Sequence, residues 1–191
     1  MSSSLRSKLG VNENIISAKK CEIRSVNDQV ACVFLNDSHI KGHVNGFHIG
    51  LYYNNELVSI LTYGKPRFNK GYDIEILRFC DKLNTTVTGG LSRLLSRIKN
   101  KSIISYIDRR YSDGGLYENC GFRLLYKTEP SYYYINNSLH KNHRYNRVQF
   151  QKHKLPNILE NFDPNLTEYQ NMINNGYDRI WDCGNLVYYI Y

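Results

Sequence analysis

Alternating apolar and polar positions predict a series of short β-strands in the first two thirds of the chain. Residues 47–53 and 57–63 alternate on either side of Asn54-Asn55-Glu56, a pattern typical of a β-hairpin. Residues 72–80 alternate in the same way and predict a central strand. Further strands are predicted at residues 19–26 and 103–108, and a final pair of adjacent strands is predicted at residues 123–127 and 131–135.

A helical spacing of apolar residues interrupts these strands. Leu91, Leu94, Leu95 and Ile98 recur at intervals of three and four, which predicts an amphipathic helix after Gly89-Gly90. Shorter helices are predicted at residues 27–35 and 116–120. The resulting order, β-α-β-β-β-α-β-α-β, favours an α+β fold with a mixed, mostly antiparallel central sheet flanked by helices, rather than a doubly wound nucleotide-binding fold.

The chain changes character after Asn136, where it becomes basic and rich in histidine, asparagine and arginine. We therefore expect a peripheral segment over residues 1–18 and a main domain over residues 19–136. Residues 137–191 are expected to form a basic C-terminal extension or subdomain packed on the main domain.

The composition is that of a globular protein without a membrane span. The 191 residues are 41% hydrophobic, yet no apolar run approaches the roughly 20 residues that cross a bilayer. The first residues lack the apolar core of a signal peptide. Five scattered cysteines form no C-x-x-C pair, so we expect neither a disulfide framework nor a familiar zinc site, and we expect a cytoplasmic location.

The positive charge points to a polyanionic partner. A formal net charge of +8 with 17 tyrosines favours nucleic acid, because basic side chains bind phosphates and aromatic rings stack on exposed bases. Tyrosines packed in strands are the alternative for many of these rings. The candidate nucleic-acid-binding residues are Arg93, Arg97, Arg109, Arg110, Lys141, Arg144, Arg147, Lys152 and Lys154.

The stretch from Ile103 to Phe122 carries the first resemblance. A strand ending at Asp108, a turn with Gly114-Gly115 and a short helix with Tyr117 resemble the C-terminal half of the GNAT acyltransferase fold. With Ser38-His39 and with residues 75–79, EILRF, the order of motifs over roughly residues 20–135 resembles the phage Mom-type enzymes that modify adenine in DNA. The resemblance implies a GNAT-like fold and a cytoplasmic location in an infected bacterial host.

The same resemblance implies catalytic residues, each with a structural alternative. Asp108 would be a general base or orient the substrate amine; alternatively it caps a turn or pairs with Arg109. Tyr117 would protonate a leaving thiolate, or else pack in the core. Arg78 and His39 would position substrate; alternatively Arg78 pairs with Asp108 and His39 stabilises a turn.

A donor site is expected at Gly89, Gly90 and Ser92, where free N–H groups before a helix could hold the pyrophosphate of acetyl-CoA or a related acyl donor. The glycines are adjacent and no arginine precedes them, which departs from the GNAT carrier loop, so a plain glycine turn is the alternative. We predict no metal site, because Gly42 argues against a helical His39-x-x-x-His43 pair and because His140, His143 and His153 have no acidic partner at a persuasive spacing.

A second resemblance runs along the whole chain. Short segments such as residues 38–42, SHIKG, and residues 150–155, FQKHKL, resemble the C-terminal block of phage homing-endonuclease-like proteins. In those proteins a Vsr-like nuclease domain precedes that block. The nuclease residues would lie before Met1, so we expect the appended block alone, with a separate nuclease as a possible partner. Three functions stay open: a DNA-modifying acyltransferase, a non-catalytic DNA-binding module, and an N-acetyltransferase for a small amine or a protein.

Overall fold

The computed structural model describes residues 6, 9–98, 100–140 and 143–191, and these form two compact units. The main unit comprises the described residues of Met1–Ile107, Gly114–Tyr126 and Leu186–Tyr191. The inserted unit comprises the described residues of Asp108–Asp113 and Lys127–Asn185. The predicted boundary after Asn136 therefore falls inside the inserted unit, and the last residues of the chain return to the main unit.

Twelve strands and four α-helices are present in the described residues. The strands are β1 (Asn14–Ser17), β2 (Glu22–Ser25), β3 (Phe47–Tyr53), β4 (Glu56–Gly64), β5 (Ile74–Asp81), β6 (Thr85–Thr88), β7 (Ile103–Asp108), β8 (Arg123–Lys127), β9 (Tyr132–Ile135), β10 (Tyr145–Asn146), β11 (Asp178–Trp181) and β12 (Asn185–Ile190). The helices are α1 (Asp28–Ser38), α2 (Gly90–Leu95), α3 (Gly115–Glu118) and α4 (Glu168–Asn174). None of the helices in the described residues has the length and apolar character to cross a membrane.

The central sheet has seven strands in the order β2-β3-β4-β5-β7-β12-β8. Neighbours from β2 to β5 run antiparallel, whereas β5 and β7 run parallel. This arrangement confirms the predicted α+β fold with a mixed, mostly antiparallel sheet flanked by helices. The predicted pairing of residues 123–127 with 131–135 is wrong, because β12 lies beside β8 and β9 belongs to another sheet.

Two apolar clusters stabilise the main unit. In the first, Leu91 and Leu94 of α2 pack with Leu61 of β4, and all three side chains are fully buried. In the second, Ala31 and Leu35 of α1 pack with residues of the sheet such as Ile60, which neighbours Leu61 in β4. Successive strand residues point to opposite faces, so the two helices cover opposite faces of the sheet.

The inserted unit has its own sheet and core. Strand β9 pairs antiparallel with β10 on one side and β11 on the other. Tyr134, Leu155 and Met172 are fully buried in a cluster completed by Phe150 and Tyr177. Helix α4 begins with a capping box, in which Thr167 and Gln170 satisfy backbone N–H groups at the start of the helix.

Candidate functional site

Strands β5 and β7 pair only at their beginnings. Ile74–Ile76 lie opposite Ile103–Ser105, but β5 continues to Asp81 without a further partner in β7. We call the gap between residues 77–81 and residues 106–107 the sheet opening. Backbone N–H and C=O groups along such an opening are not used by a ladder between the two strands, so they are placed to bind an extended ligand.

A row of polar side chains crosses the sheet next to this opening. His48 of β3 lies opposite Thr62 of β4, and Thr62 lies opposite Arg78 of β5. Residues directly opposite each other in antiparallel strands share a face, so the three side chains lie on the face that α1 covers. The Nδ1 atom of His48 is 2.9 Å from Oγ1 of Thr62, and both residues are buried. We call this set the polar row.

Arg78 has an environment suited to binding an anion. Its Nε donates to the carbonyl oxygen of Gly42 at 3.0 Å, and its Nη1 donates to the carbonyl oxygen of Leu77 at 2.8 Å. The hydrogen bonds described for Arg78 go to these two carbonyl oxygens, and its pairing with Asp108 stays a prediction. Burial, and secondarily Arg67, lower the pKa of the Arg78 guanidinium, yet it remains a cation whose nearest polar partners are neutral.

His39 lies near this cation and is kept neutral mainly by its burial, with Arg78 adding to the effect. The residue ends α1, and its Nδ1 accepts a hydrogen bond from the backbone N–H of Lys41 at 3.1 Å. Burial, then Arg78 and Lys41, lower the pKa of His39 to about 4. At neutral pH the proton of this ring is therefore on Nε2, which makes His39 a hydrogen-bond donor. Two predicted positioning residues, His39 and Arg78, are thus brought together.

An ion pair between a buried carboxylate and a half-exposed arginine lies at the beginning of β5. The carboxylate of Glu75 is fully buried and accepts from the backbone N–H of Arg67 at 2.7 Å and from its Nε at 2.9 Å. The Nη2 atom of Arg67 lies 2.5 Å from the same carboxylate. This pair attaches the loop after β4 to β5, three residues before Arg78.

Tyr117 lies in the core of the main unit. Its ring contacts Phe122 edge-on, with centroids 5.3 Å apart, and stacks on Tyr188 at 6.2 Å. Burial raises the pKa of its hydroxyl. The packing function considered as the alternative is therefore present, while proton donation to a thiolate stays a prediction.

Asp108 is held by a neighbour in sequence. Its carboxylate accepts from Nε of Arg110 at 3.0 Å and from Nη2 at 2.7 Å, a two-point contact on one guanidinium. Arg109, the partner considered in the sequence analysis, instead donates to the carbonyl oxygen of Cys183 at 3.0 Å. Proton transfer through Asp108 would require this contact with Arg110 to be exchanged for one with substrate.

The predicted donor loop forms a left-handed turn into α2. Gly89 has a φ of 76°, and no side chain caps the N-terminal N–H groups of α2. An added Cβ at Gly89 would meet no atom closer than 4.0 Å, so the glycine is needed for its backbone conformation and not for close packing. Gly90 is buried at the first position of α2 and Ser92 is exposed.

The predicted nucleic-acid-binding residues differ in how firmly they are held. Arg93, Arg97 and Arg144 are exposed. Arg147 lies over the ring of Tyr132 at 5.3 Å, while the Nζ atoms of Lys152 and Lys154 donate to backbone carbonyls at 2.9 Å. Lys141 lies outside the described residues.

Sequence reasoning missed the grouping of Asp28 with His43 and with His48 of the polar row. Asp28 begins α1, and its Oδ1 lies 2.9 Å from Nε2 of His43 and 3.1 Å from Nε2 of His48. The sequence offered a helix-start signal at Asn27-Asp28, a histidine in a polar turn at His43 and a histidine inside an apolar strand at His48. Their meeting depends on how α1 packs on the sheet, which local patterns do not encode.

Comparison with known proteins identifies no family. No protein-family model matches the chain, and no curated protein matches it. The chain is similar to an acetyltransferase from Bacillus subtilis whose crystal structure contains CoA, with 16% identity and a TM-score of 0.46. That similarity covers 90% of this chain and 98% of the acetyltransferase. Because this similarity is low, the α+β fold is assigned from the strands, helices and sheet order of the chain itself and not from the comparison.

Proposed function

We propose that this protein transfers an acyl-type group from a thioester donor to the amine of a DNA base, with adenine as the expected base. In the reaction the amine nitrogen attacks the thioester carbonyl carbon, so that a C–N bond forms and the C–S bond breaks. The thiolate leaves with the bonding electrons, and the amine loses one proton. Asp108 is assigned to accept that proton and Tyr117 to protonate the thiolate.

The sheet opening carries the proposal. The pantetheine arm of CoA is an extended chain with two amide groups, so it can hydrogen bond with a strand edge as an added strand does. Residues 77–81 supply such an edge on the β7 side, because β7 pairs with β5 only as far as Ile76. The left-handed turn at Gly89-Gly90, which has no side-chain cap, supports a place for the donor's phosphates.

Arg78 and His39 support an acceptor site next to the opening. The Arg78 guanidinium is charged, and its hydrogen-bond partners among the described residues are carbonyl oxygens, so it can bind a phosphate group or a base oxygen. Neutral His39 can donate from Nε2 to a ring nitrogen of a base. A base inside a duplex would have to be flipped out to reach these groups.

The net charge of +8 and the exposed arginines support DNA as the polymer that carries the amine. The second candidate is a non-catalytic DNA-binding module. It is favoured by the burial of Tyr117 and by the two-point contact between Arg110 and Asp108, since both predicted proton-transfer groups are already occupied in the structure.

Nucleoside mass spectrometry distinguishes these functions. Total DNA is digested from cells that express the wild type, Arg78→Gln, Asp108→Asn or the control Arg24→Gln, which changes an exposed arginine of β2. The proposal expects a base adduct with the wild type and Arg24→Gln, and at least a tenfold loss with the other two. An adduct of equal amount in every strain, or none in any, contradicts it.

Thermal unfolding of the purified protein completes the test. Stabilisation by acetyl-CoA without DNA binding at moderate salt would favour an acetyltransferase for a small amine or a protein. Salt-sensitive DNA binding without any response to acetyl-CoA, and without an adduct, would favour the DNA-binding module.

A further inference from the structure

Three side chains from three different elements converge at the His48 end of the polar row. Asp28 comes from the first turn of α1, His43 from the loop after α1, and His48 from β3. Their ligand atoms all lie within 4.8 Å of one another. The geometry points to a binding site for a divalent transition-metal ion, held by both histidine Nε2 atoms and the Asp28 carboxylate. This inference departs from the sequence prediction of no metal site, and it does not depend on the proposed transfer reaction.

The distances are close to those of a coordinated ion. Zinc binds histidine nitrogen at about 2.0–2.1 Å and carboxylate oxygen at about 2.0–2.2 Å, which places tetrahedral ligand atoms roughly 3.3 Å apart. Oδ1 of Asp28 is 2.9 Å from Nε2 of His43 and 3.1 Å from Nε2 of His48. Both distances are thus within a few tenths of an ångström of the spacing in a tetrahedral site.

His48 is already oriented as a ligand. Its Nδ1 is 2.9 Å from Oγ1 of Thr62, and only 2% of its side chain is exposed. With a metal on Nε2, the ring carries its proton on Nδ1 and donates it to the Thr62 hydroxyl. Contacts of this kind set the tautomer and orientation of metal-binding histidines in proteins.

The donor set and its exposure indicate the kind of ion. Two imidazoles and one carboxylate suit zinc, iron(II), cobalt(II) or nickel(II), whereas calcium and magnesium prefer oxygen ligands alone. The side chain of Asp28 is 63% exposed, so a fourth position on that side would be open to water or to a substrate atom. Three protein ligands with one open position are the pattern of catalytic rather than structural zinc sites.

Metal titration tests the site directly. Tag-free protein is stripped with a chelator, dialysed and titrated with Zn²⁺ by calorimetry, and a parallel sample receives Co²⁺ so that its visible spectrum reports four-coordinate binding. We expect one ion per chain in the wild type. Asp28→Asn and His43→Gln should weaken binding at least tenfold while leaving the circular dichroism spectrum unchanged.

Matched controls separate the site from nonspecific binding. Asp37→Asn removes an exposed carboxylate from the same helix, and His153→Gln removes an exposed histidine from the inserted unit; both should bind Zn²⁺ as the wild type does. In the zinc-loaded wild type, the NMR signals of the His48 ring nitrogens should show Zn²⁺ on Nε2 and a proton on Nδ1. Absence of stoichiometric binding, or equal binding by Asp28→Asn and the wild type, would leave a hydrogen-bonded cluster without a metal and overturn the inference.

Discussion

At the scale of single residues, the charge state of His39 depends on its neighbours. Its ring accepts a backbone hydrogen bond on Nδ1 and lies close to Arg78, so protonation would place two cations together in a partly buried site. The neutral ring and the charged guanidinium therefore form a donor pair at neutral pH.

We predict that NMR titration will give His39 a pKa of about 4, and that Arg78→Gln will raise this pKa toward the ordinary value of 6.5. The variant removes the repulsion from the guanidinium, while the burial of the ring remains. Arg24→Gln should leave the titration of His39 unchanged. A wild-type pKa near 6.5 would contradict the prediction.

The lowered pKa of His39 also predicts that the folded protein loses stability in acid. Between pH 6.5 and about 4 the unfolded chain binds a proton at His39 that the folded chain excludes, so the free energy of unfolding falls as the pH is lowered through this range. After allowance for the partly exposed ring, the loss is about 1–2 kcal/mol. Urea unfolding should show a smaller loss for His39→Gln, and an equal loss in both proteins would argue against the shift.

The Glu75–Arg67 pair predicts an asymmetry between its two partners. Arg67→Gln leaves a fully buried carboxylate without its guanidinium and should lower the free energy of unfolding by about 3 kcal/mol. Glu75→Gln should lower the free energy of unfolding by only about 1–2 kcal/mol, because the side chain of Arg67 is 48% exposed and can turn to solvent. Urea unfolding of both variants measures the two losses of stability. A larger loss in Glu75→Gln than in Arg67→Gln would contradict the prediction.

At the scale of elements, tight turns place the helices that support the site. Gly114 precedes α3 with a φ of 94°, and an added Cβ would lie 2.3 Å from the hydroxyl oxygen of Tyr188 and 2.7 Å from Cζ of its ring. Tyr188 is buried and donates to Glu118 of α3 at 2.6 Å. Both the backbone conformation and the space at this turn therefore require glycine.

Gly114→Ala should lower the free energy of unfolding by about 3 kcal/mol, since it combines left-handed strain with a clash against a core ring. Gly121→Ala is the matched control, because Gly121 has a φ of 88° and an added Cβ would meet its nearest atom at 3.6 Å. Gly121→Ala should lower the free energy of unfolding by about 1 kcal/mol, because only the backbone strain applies there. Equal losses in the two variants would show that packing against Tyr188 does not matter.

At the scale of the whole molecule, charge is the property that most favours DNA binding. Arg144 and Arg147 of the inserted unit are exposed, and both were candidate phosphate ligands in the sequence. Each phosphate contact contributes about −0.9 to the slope of log K against log salt concentration on duplex DNA.

The double variant Arg144→Gln/Arg147→Gln should therefore make the salt slope shallower by roughly 2, as measured by fluorescence anisotropy. Lys19→Gln/Lys20→Gln is the control, because it removes the same charge from exposed positions of the main unit. If both double variants change the slope equally, binding depends on net charge and not on the inserted unit.

The sequence alone determined the local elements and the class of fold. The hairpin at residues 54–55 was predictable because Asn tolerates a positive φ, and the structure has φ values of 50° and 65° there. The helix after Gly89-Gly90 was predictable from the spacing of its leucines. His39 and Arg78 were named from a resemblance, but their proximity could not be predicted from local pattern.

Only the tertiary structure decided how distant segments meet. The return of β12 to the central sheet, the Glu75–Arg67 pair and the Asp28–His43–His48 cluster all join residues through strand order or helix packing. Hydrophobic periodicity reports which face of an element is buried, but it does not report which partner covers that face. That partner is chosen by the register of the sheet and by the fit of the side chains between layers, which are properties of the folded chain.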